Sequence, residues 1–432
     1  MRVLLVQRRL RDERSYLDEL RELARVAGYD PVLEIEQIRK PDAKYHIGSG
    51  KVREIARIIK DLNIEKVIFY NELKPSQVHN LMKAWKVEVI DRFQLILEIF
   101  SKRAGTKEAK LQIELAKLRR DLSFIREQIS LMKRGEYPGF LSGGGYKVDA
   151  FYDYVNRRIA KIEKELREIR RKKHILRKKR TSCGFPTAVL TGYTGAGKTT
   201  IFNRMTGYEG YIDGRPFATL STKIKRINIL GRKILLADTI GFIENLPSLL
   251  VEAFYTTLEE IVYADLVILV MDASVKKAEF ERKFNASVNI LENLGVSLGD
   301  VLYVLNKIDL VDSDKLALLQ DIIRDRIGKV ETVAISALKG IGFAAFERKI
   351  LSMLRNYLRV TLKLPADNDG IDFLFKRIYP LAYVDFLGFN EGTVNLIIEG
   401  TRDSIRRILC EIENRGGVVE AISRGCGIEA RA

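Results

Sequence analysis

The residues with the clearest chemistry lie in TAVLTGYTGAGKTT. From Gly192 this stretch fits G-x-x-x-x-G-K-[ST] in full, with Gly192, Gly197, Lys198 and Thr199 at the fixed positions. Glycines let a backbone curl until its N–H groups converge on phosphate oxygens. The expected phosphate cradle is therefore Gly192, Tyr193, Thr194, Gly195, Ala196, Gly197, Lys198, Thr199 and Thr200. Lys198 is expected to reach the β and γ phosphates, and the Thr199 hydroxyl to face Mg²⁺.

Three further motifs follow in order. LLADTIG closes an apolar run on Asp238, whose carboxylate suits Mg²⁺ held through water; Thr239, Ile240 and Gly241 come next. Gly241 is placed to give its N–H to a γ-phosphate. VLYVLNKID ends in Asn306, Lys307 and Asp309. A carboxylate accepts from guanine N1–H and N2–H₂ together. Adenine offers no such donor pair, so Asp309 selects GTP and GDP. The Lys307 stem suits the face of the base. TVAISALKG supplies Ser336, Ala337 and Leu338, whose backbone suits guanine O6. Between the first two motifs lies RPFATLSTK, with Phe217, Ala218 and Thr219. A threonine here is expected to close on Mg²⁺ and γ-phosphate when GTP is bound. Thr219 is the choice, with Ser221 and Thr222 as alternatives that spacing leaves open. Lys198, Thr219 and Gly241 then form the expected catalytic set, and Thr199, Thr219 and Asp238 the metal set.

Phe242 follows Gly241 where a water-orienting glutamine would be expected. A phenyl ring cannot hold water by hydrogen bonding. Phosphoryl transfer depends on positioning and charge stabilisation, so the expected unaided hydrolysis is slow. The ring is expected to turn away from the γ-phosphate, either as a switch feature or as an ordinary core side chain.

The elements that must hold these residues follow from periodicity. Residues 1–103 alternate strand and helix signals, from VLLV through SYLDELRELARVAG to FQLILEIFSKRA; this implies a parallel sheet with helical crossovers. Leu111, Leu115, Leu118, Leu122, Ile125, Ile129 and Met132 repeat at four and three, as do Val155, Ile159, Ile162, Leu166, Ile169, Lys173 and Leu176. Such a 3.5-residue period marks a coiled-coil seam. Joined through Pro138, Gly139 and Gly143–Gly145, the two read as an antiparallel hairpin with arms of roughly 45 Å. Residues 182–358 return to strand–helix alternation. The remainder offers strands at LAYVDFLG, TVNLIIEG and GVVEAIS and a helix at RDSIRRILCEIENRG. The expected fold is thus α/β and multidomain: an N-terminal parallel α/β domain (1–103), a helical hairpin (104–181), a P-loop GTPase domain (182–358) and a small α+β domain (359–432).

Bulk properties bound the class. The chain has 432 residues, an apolar fraction of 46% and a net charge of +17. That excess favours a polyanionic partner. Much of it sits in Asn156–Arg180, and Arg170–Arg180 contains no acid. The helix face fits a phosphate backbone; its plain alternative is a solvated flank. Three cysteines and three histidines lie scattered, which argues against a disulfide framework or zinc site. No apolar run approaches the ~18 residues of a membrane span, and MRVLLVQRRL reads as a strand and not a secretion signal. The expected setting is the cytosol. IGSGKV (47–52) faintly resembles a second phosphate loop, but Val52 stands where a metal-facing hydroxyl belongs. It reads as a turn opening a helix.

With these residues in view, the chain resembles HflX, a family of ribosome-associated GTPases. YHIGSGKVREI, ELKPSQVHNL, VIDRFQLILEIFSKRAGTKEAKLQIELAKL, GYTGAGKT, FATL and DTIGFIENLP carry the likeness over residues 1–358. It departs at RRDLSFIREQI, at SGGGYKVDA, at Gly195 where asparagine is usual, and at Glu244 where arginine is common. The resemblance implies binding to the large ribosomal subunit and its rRNA, and action in splitting, rescue or quality control of ribosomes; a monomer is expected. Two other classes compete: an RNA-remodelling, chaperone-like protein with a structural nucleotide site, and a membrane-surface GTPase using the basic helix. The intact Lys198, Thr199 and Asp238 disfavour the first. The narrow apolar seam of the second arm disfavours the other.

Overall fold

The computed structural model describes residues 1–133, 145–182, 185–207, 223–242, 250, 258–354, 357–390, 392–413, 417–424 and 427–429. The chain forms two compact units, the first holding Met1–Leu166 and the second the sheets that follow.

In the first unit β1 (Arg2–Arg9), α1 (Leu17–Val26), β2 (Asp30–Ile38), α2 (Ser49–Asp61), β3 (Lys66–Phe69), α3 (Pro75–Trp85), β4 (Glu88–Asp91) and α4 (Arg92–Arg103) alternate. The sheet order is β2-β1-β3-β4, and every pairing is parallel. Val3–Val6 are buried without a break, as expected of a parallel strand covered on both faces. Gly48 caps α2, so IGSGKV does open a helix. Asp91 organises the end of β4. It accepts from Gln94 N at 3.0 Å to cap α4, from Leu73 N at 3.2 Å, and from Arg120 Nη1 at 2.7 Å. A charged cap of this kind joins strand, helix and hairpin at one atom pair.

The hairpin is α5 (Lys107–Lys133) and α6 (Gly145–Ser182). Leu122, Ile125 and Val155 are buried together with Leu118, Tyr152 and Ile159 against them, so the 3.5-residue reading holds where side chains are described. Ile129, Met132 and Leu176 lie outside the described side chains. Glu114 binds Arg158 through both oxygens at 2.7 and 2.9 Å, and Lys107 meets Glu165 at 2.7 Å. The start of α5 thus pairs with later α6, an antiparallel arrangement. α6 is longer than its seam: it begins at Gly145 inside the glycine triple and has 38 residues, roughly 57 Å. Helix continuation outweighs the glycine penalty once the flanking residues favour it.

The second unit carries β5 (Thr187–Thr191), α7 (Lys198–Thr206), β6 (Lys223–Ile229), β7 (Arg232–Asp238), β8 (Leu266–Asp272), α8 (Lys277–Asn293), β9 (Val301–Asn306), α9 (Ser313–Ile327), β10 (Thr332–Ile335) and α10 (Phe343–Met353). The order is β10-β9-β8-β5-β7-β6, with β6 antiparallel to β7 and the rest parallel. Separate apolar clusters cover its two faces. A third sheet is antiparallel, in the order β12-β13-β11-β14-β15. Its elements are β11 (Tyr357–Pro365), α11 (Asn368–Phe373), β12 (Tyr383–Asn390), β13 (Thr393–Thr401), α12 (Arg402–Glu413), β14 (Val418–Arg424) and β15 (Gly427–Glu429). The expected strands and helix of the tail are present. β11 and β15 were not anticipated. β11 runs across the boundary expected at 358, because the tail's sheet is built on YLRVTLKLP as its central strand.

Candidate functional site

β5 leads into the phosphate loop from the middle of its sheet, where β8 lies on one side and β7 on the other. Ala188–Thr191 are fully buried, which fixes where the chain emerges. Gly192 then takes φ +131°, and a Cβ there would stand 2.2 Å from the Val270 carbonyl oxygen. No other residue fits. Gly197 has φ +95° at the start of α7, and its absent Cβ would meet Asn306 Nδ2 at 2.2 Å.

Asn306, at the end of β9, fills that space. Its Nδ2 donates to the Ala196 carbonyl at 2.8 Å, and its Oδ1 accepts from Ala337 N at 2.9 Å. One buried amide therefore ties the phosphate loop to the loop after β10. From the other side Arg204 donates to the carbonyls of Ala337 and Leu338 at 3.1 and 3.2 Å. Ser336 Oγ accepts from Lys339 N at 3.1 Å, while the Leu338 side chain is exposed.

Lys198 is buried, and its Nζ donates to the carbonyls of Gly192 and Tyr193 at 2.9 and 2.8 Å. Burial lowers its pKa to about 8, with the Asp238 charge opposing the shift. The Thr199 hydroxyl donates to Asp238 Oδ2 at 2.9 Å, joining α7 to the end of β7. Thr239 is also buried, and its hydroxyl donates to the Leu190 carbonyl at 2.8 Å. Gly241 lies close to the loop: a Cβ on it would stand 2.7 Å from Thr194 Cγ2 and 3.0 Å from Lys198 Nζ.

Phe242 is stitched beside it. Its N–H donates to the Gly192 carbonyl and its carbonyl accepts from Thr194 N, both at 2.9 Å. The ring is 4% exposed and packs in the cluster that holds Tyr193, Leu258 and Phe280. The core reading of Phe242 is the one seen: its ring packs in an apolar cluster that includes Tyr193 of the phosphate loop.

Lys307 takes φ +67° after β9, and its Nζ donates to Asp272 Oδ2 at 2.5 Å. Asp272 ends β8 and is itself held by the N–H and hydroxyl of Ser274, at 2.9 and 2.5 Å. This anchor was missed in the sequence, although VILVMDAS places an acid at a strand end. Asp309 follows in the turn Ile308–Leu310 and is partly exposed. Phe217, Ala218, Thr219, Ser221 and Thr222 lie outside the described residues.

Neighbouring strand ends thus bring together Gly192–Thr200, Asp238–Gly241, Asn306–Asp309 and Ser336–Leu338. This is the crevice where open α/β sheets bind ligands. The loop, whose Gly192 lets it pass Val270, fits phosphate. The hydroxyl of Thr199 beside the buried carboxylate of Asp238 is an all-oxygen donor pair suited to Mg²⁺.

Known proteins resemble this chain along most of its length. A family described as GTP-binding GTPase N-terminal matches residues 14–101, GTP-binding GTPase Middle Region matches 103–180, and 50S ribosome-binding GTPase matches 187–307. "GTPase HflX" of Thermofilum pendens is 47% identical over 91% of this chain and 92% of its own length. "GTPase HflX" of Thermococcus kodakarensis is 40% identical over 84% and 82%. A GTP-binding protein from the hyperthermophilic archaeon Sulfolobus solfataricus, solved in complex with GDP, is 30% identical over 81% of this chain and 98% of that one, with a TM-score of 0.45.

Proposed function

The chain belongs to the HflX family of GTPases, and from that membership we propose a GTP-switched factor of the large ribosomal subunit. It hydrolyses GTP slowly alone and faster on the subunit, and it serves in splitting, rescue or quality control of ribosomes. The observation that carries the partner is the acid-free run Arg170–Arg180 in α6, where Arg171, Lys172 and His174 are exposed. A helix of that charge gains by releasing counterions from RNA. Within the run Arg170 meets Glu259 at 3.3 Å, and the remaining exposed charge is what an anionic partner would offset.

The residues divide the work. Gly192–Thr200 hold the phosphates, and Lys198 meets them once an anion favours its charged form. Asp309 reads the guanine edge. Lys307, fixed by Asp272, keeps its stem beside the base. Asn306 sets the distance between the phosphate and base loops. Gly241 and Thr219 meet the γ-phosphate. Thr199, Thr219 and Asp238 would hold Mg²⁺, which supplies charge neutralisation at the β and γ oxygens when bound. Phe242 offers no hydrogen bond to water, so unaided hydrolysis lacks a positioning group. Docking on the subunit orders the loop around Thr219, and by linkage GTP and the subunit each strengthen the other. We read the chain as a cytosolic monomer of four segments: 1–103, 104–181, a nucleotide segment that starts at 182 and ends before β11, and a small α+β segment that β11 opens. No helix among the described residues is long and apolar enough to cross a membrane.

The test is GTP hydrolysis with and without purified large subunits. A rate that rises with subunit concentration supports this reading, and equal rates contradict it.

A further inference from the structure

The last turn of α7 meets the loop that follows β10. Arg204 stands there, on the same helix that Lys198 opens. Its Nη1 donates to the carbonyls of both Ala337 and Leu338. Its guanidinium lies 5.3 Å from the centre of the Phe343 ring, within cation–π range. Gly340 makes room for it: φ there is +80°, and a Cβ would stand 2.0 Å from Arg204 Nη2. An exposed charge that only solvates a surface needs no such seat. This one is held by two carbonyls, a ring and a glycine.

The loop's own hydrogen bonds show what the seat serves. Ser336 N donates to the Ile341 carbonyl at 3.0 Å, and Gly340 N to the Ser336 carbonyl at 2.8 Å. Lys339 N donates to Ser336 Oγ, and Ala337 N to Asn306 Oδ1. Between Ser336 and Gly340, the backbone N–H with no acceptor among the described residues is that of Leu338. Guanine O6 accepts a hydrogen bond, and the Ala337 N–H is already spent on Asn306. The donor this loop still has to give is the Leu338 N–H.

Arg204 acts on that donor through its peptide unit. The Ala337 carbonyl and the Leu338 N–H belong to one trans peptide, in which the two groups point in opposite directions. A cation on the carbonyl therefore aims the N–H away from α7. The charge-assisted bond also polarises the unit and strengthens its N–H as a donor. The bond to the Leu338 carbonyl fixes the next unit, so the first cannot swing on its own.

We propose that Arg204 is a positioning residue for base recognition, aiming the Leu338 N–H at guanine O6. The proposal rests on the reading of Asp309 and residues 336–338 as the guanine pocket, and it adds a residue that lies outside the nucleotide motifs. Asp309 reads the N1–H and N2–H₂ donors, whereas Arg204, through Leu338, governs the O6 acceptor. Two parts of one base edge are read by separate elements, so each can be tested alone.

The experiment measures affinities of the full chain for GDP, inosine diphosphate and 6-thio-GDP, by competition with a fluorescent GDP. Inosine diphosphate keeps O6 and lacks the 2-amino group. 6-Thio-GDP keeps both donor positions and replaces O6 with sulfur, a weak acceptor. Wild type is expected to prefer GDP over each analogue by about tenfold. In Arg204→Ala the preference over 6-thio-GDP should fall toward one, while the preference over inosine diphosphate stays. Arg204→Lys, which keeps a cation with N–H donors, should restore part of the lost preference. An unchanged melting temperature reports the fold. An equal loss of affinity for all three nucleotides makes Arg204 a structural support only and overturns the proposal. So does a preference over 6-thio-GDP that Arg204→Ala leaves intact. A wild type that binds GDP and inosine diphosphate alike overturns the reading of Asp309, and the proposal with it.

Discussion

The carbonyl oxygen of Phe242 accepts the Thr194 N–H at 2.9 Å, while its ring is buried among the core side chains of the nucleotide sheet. The residue after Gly241 is thereby held by backbone to the phosphate loop and by side chain to the core. Phe242→Ala should remove about 3–5 kcal/mol of stability through the cavity it leaves, read as a fall in melting temperature. Phe242→Leu should cost less than half of that. Phe242→Gln should not accelerate hydrolysis, because the same backbone bonds direct the new side chain into the core. A glutamine variant hydrolysing at the subunit-stimulated rate would contradict this.

Asn306 predicts a different failure. Asn306→Ala removes both its bonds and leaves the Ala196 carbonyl and the Ala337 N–H buried without it. Unmet buried groups cost about 1–3 kcal/mol each. The melting temperature should therefore fall, and GDP affinity should fall with it, by roughly 30- to 150-fold if the lost spacing of the two loops costs about 2–3 kcal/mol of binding. An unchanged Kd would show that the two loops hold their spacing without it.

Lys198 gives the site a pH dependence. Its pKa is lowered to about 8 by burial, and a bound phosphate favours the charged amine, which raises it again. Nucleotide binding therefore takes up a proton near and above pH 8. GDP affinity should be level below pH 8 and fall above it, by at most about tenfold per pH unit. Lys198→Ala should bind weakly with a flat profile. A wild-type profile flat to pH 9.5 would contradict the assignment.

His46 does the same for the first unit, with the opposite consequence for acid. Burial and the neighbouring Arg8 guanidinium lower its pKa to about 4, and Arg8 Nε lies 3.4 Å from its Nε2. The unfolded value is higher, so the unfolded chain binds more protons in between. Stability is intact above about pH 6.5 and is lost as pH falls toward 4, by up to roughly 3 kcal/mol. His46 has φ +66°, a conformation asparagine tolerates. His46→Asn should flatten this acid sensitivity in urea midpoints measured between pH 7 and 5.

Much of the nucleotide site was legible because its glycines encode backbone geometry. Gly192 must lack a Cβ to pass Val270, and that requirement shows in sequence as a fixed spacing. The alternation of strands and helices in the first 103 residues, and with it a parallel sheet, was legible from their apolar runs; the order β2-β1-β3-β4 was not. Asp272 was not, since its task of holding Lys307 arises from two strands being neighbours. Asp91 is similar: its three partners Leu73, Gln94 and Arg120 converge only after folding. β11 was missed because its alternation follows directly on α10 and borrowed that helix's context. The task of Arg204 was invisible, since it arises only where the last turn of α7 meets the loop after β10.

The most direct test of the account is co-sedimentation with large ribosomal subunits in GDP, GTP and a non-hydrolysable GTP analogue, across several salt concentrations. The account predicts tighter binding with GTP and the analogue than with GDP at every ionic strength, and weakening with salt throughout. The same affinity in all three nucleotides would contradict it.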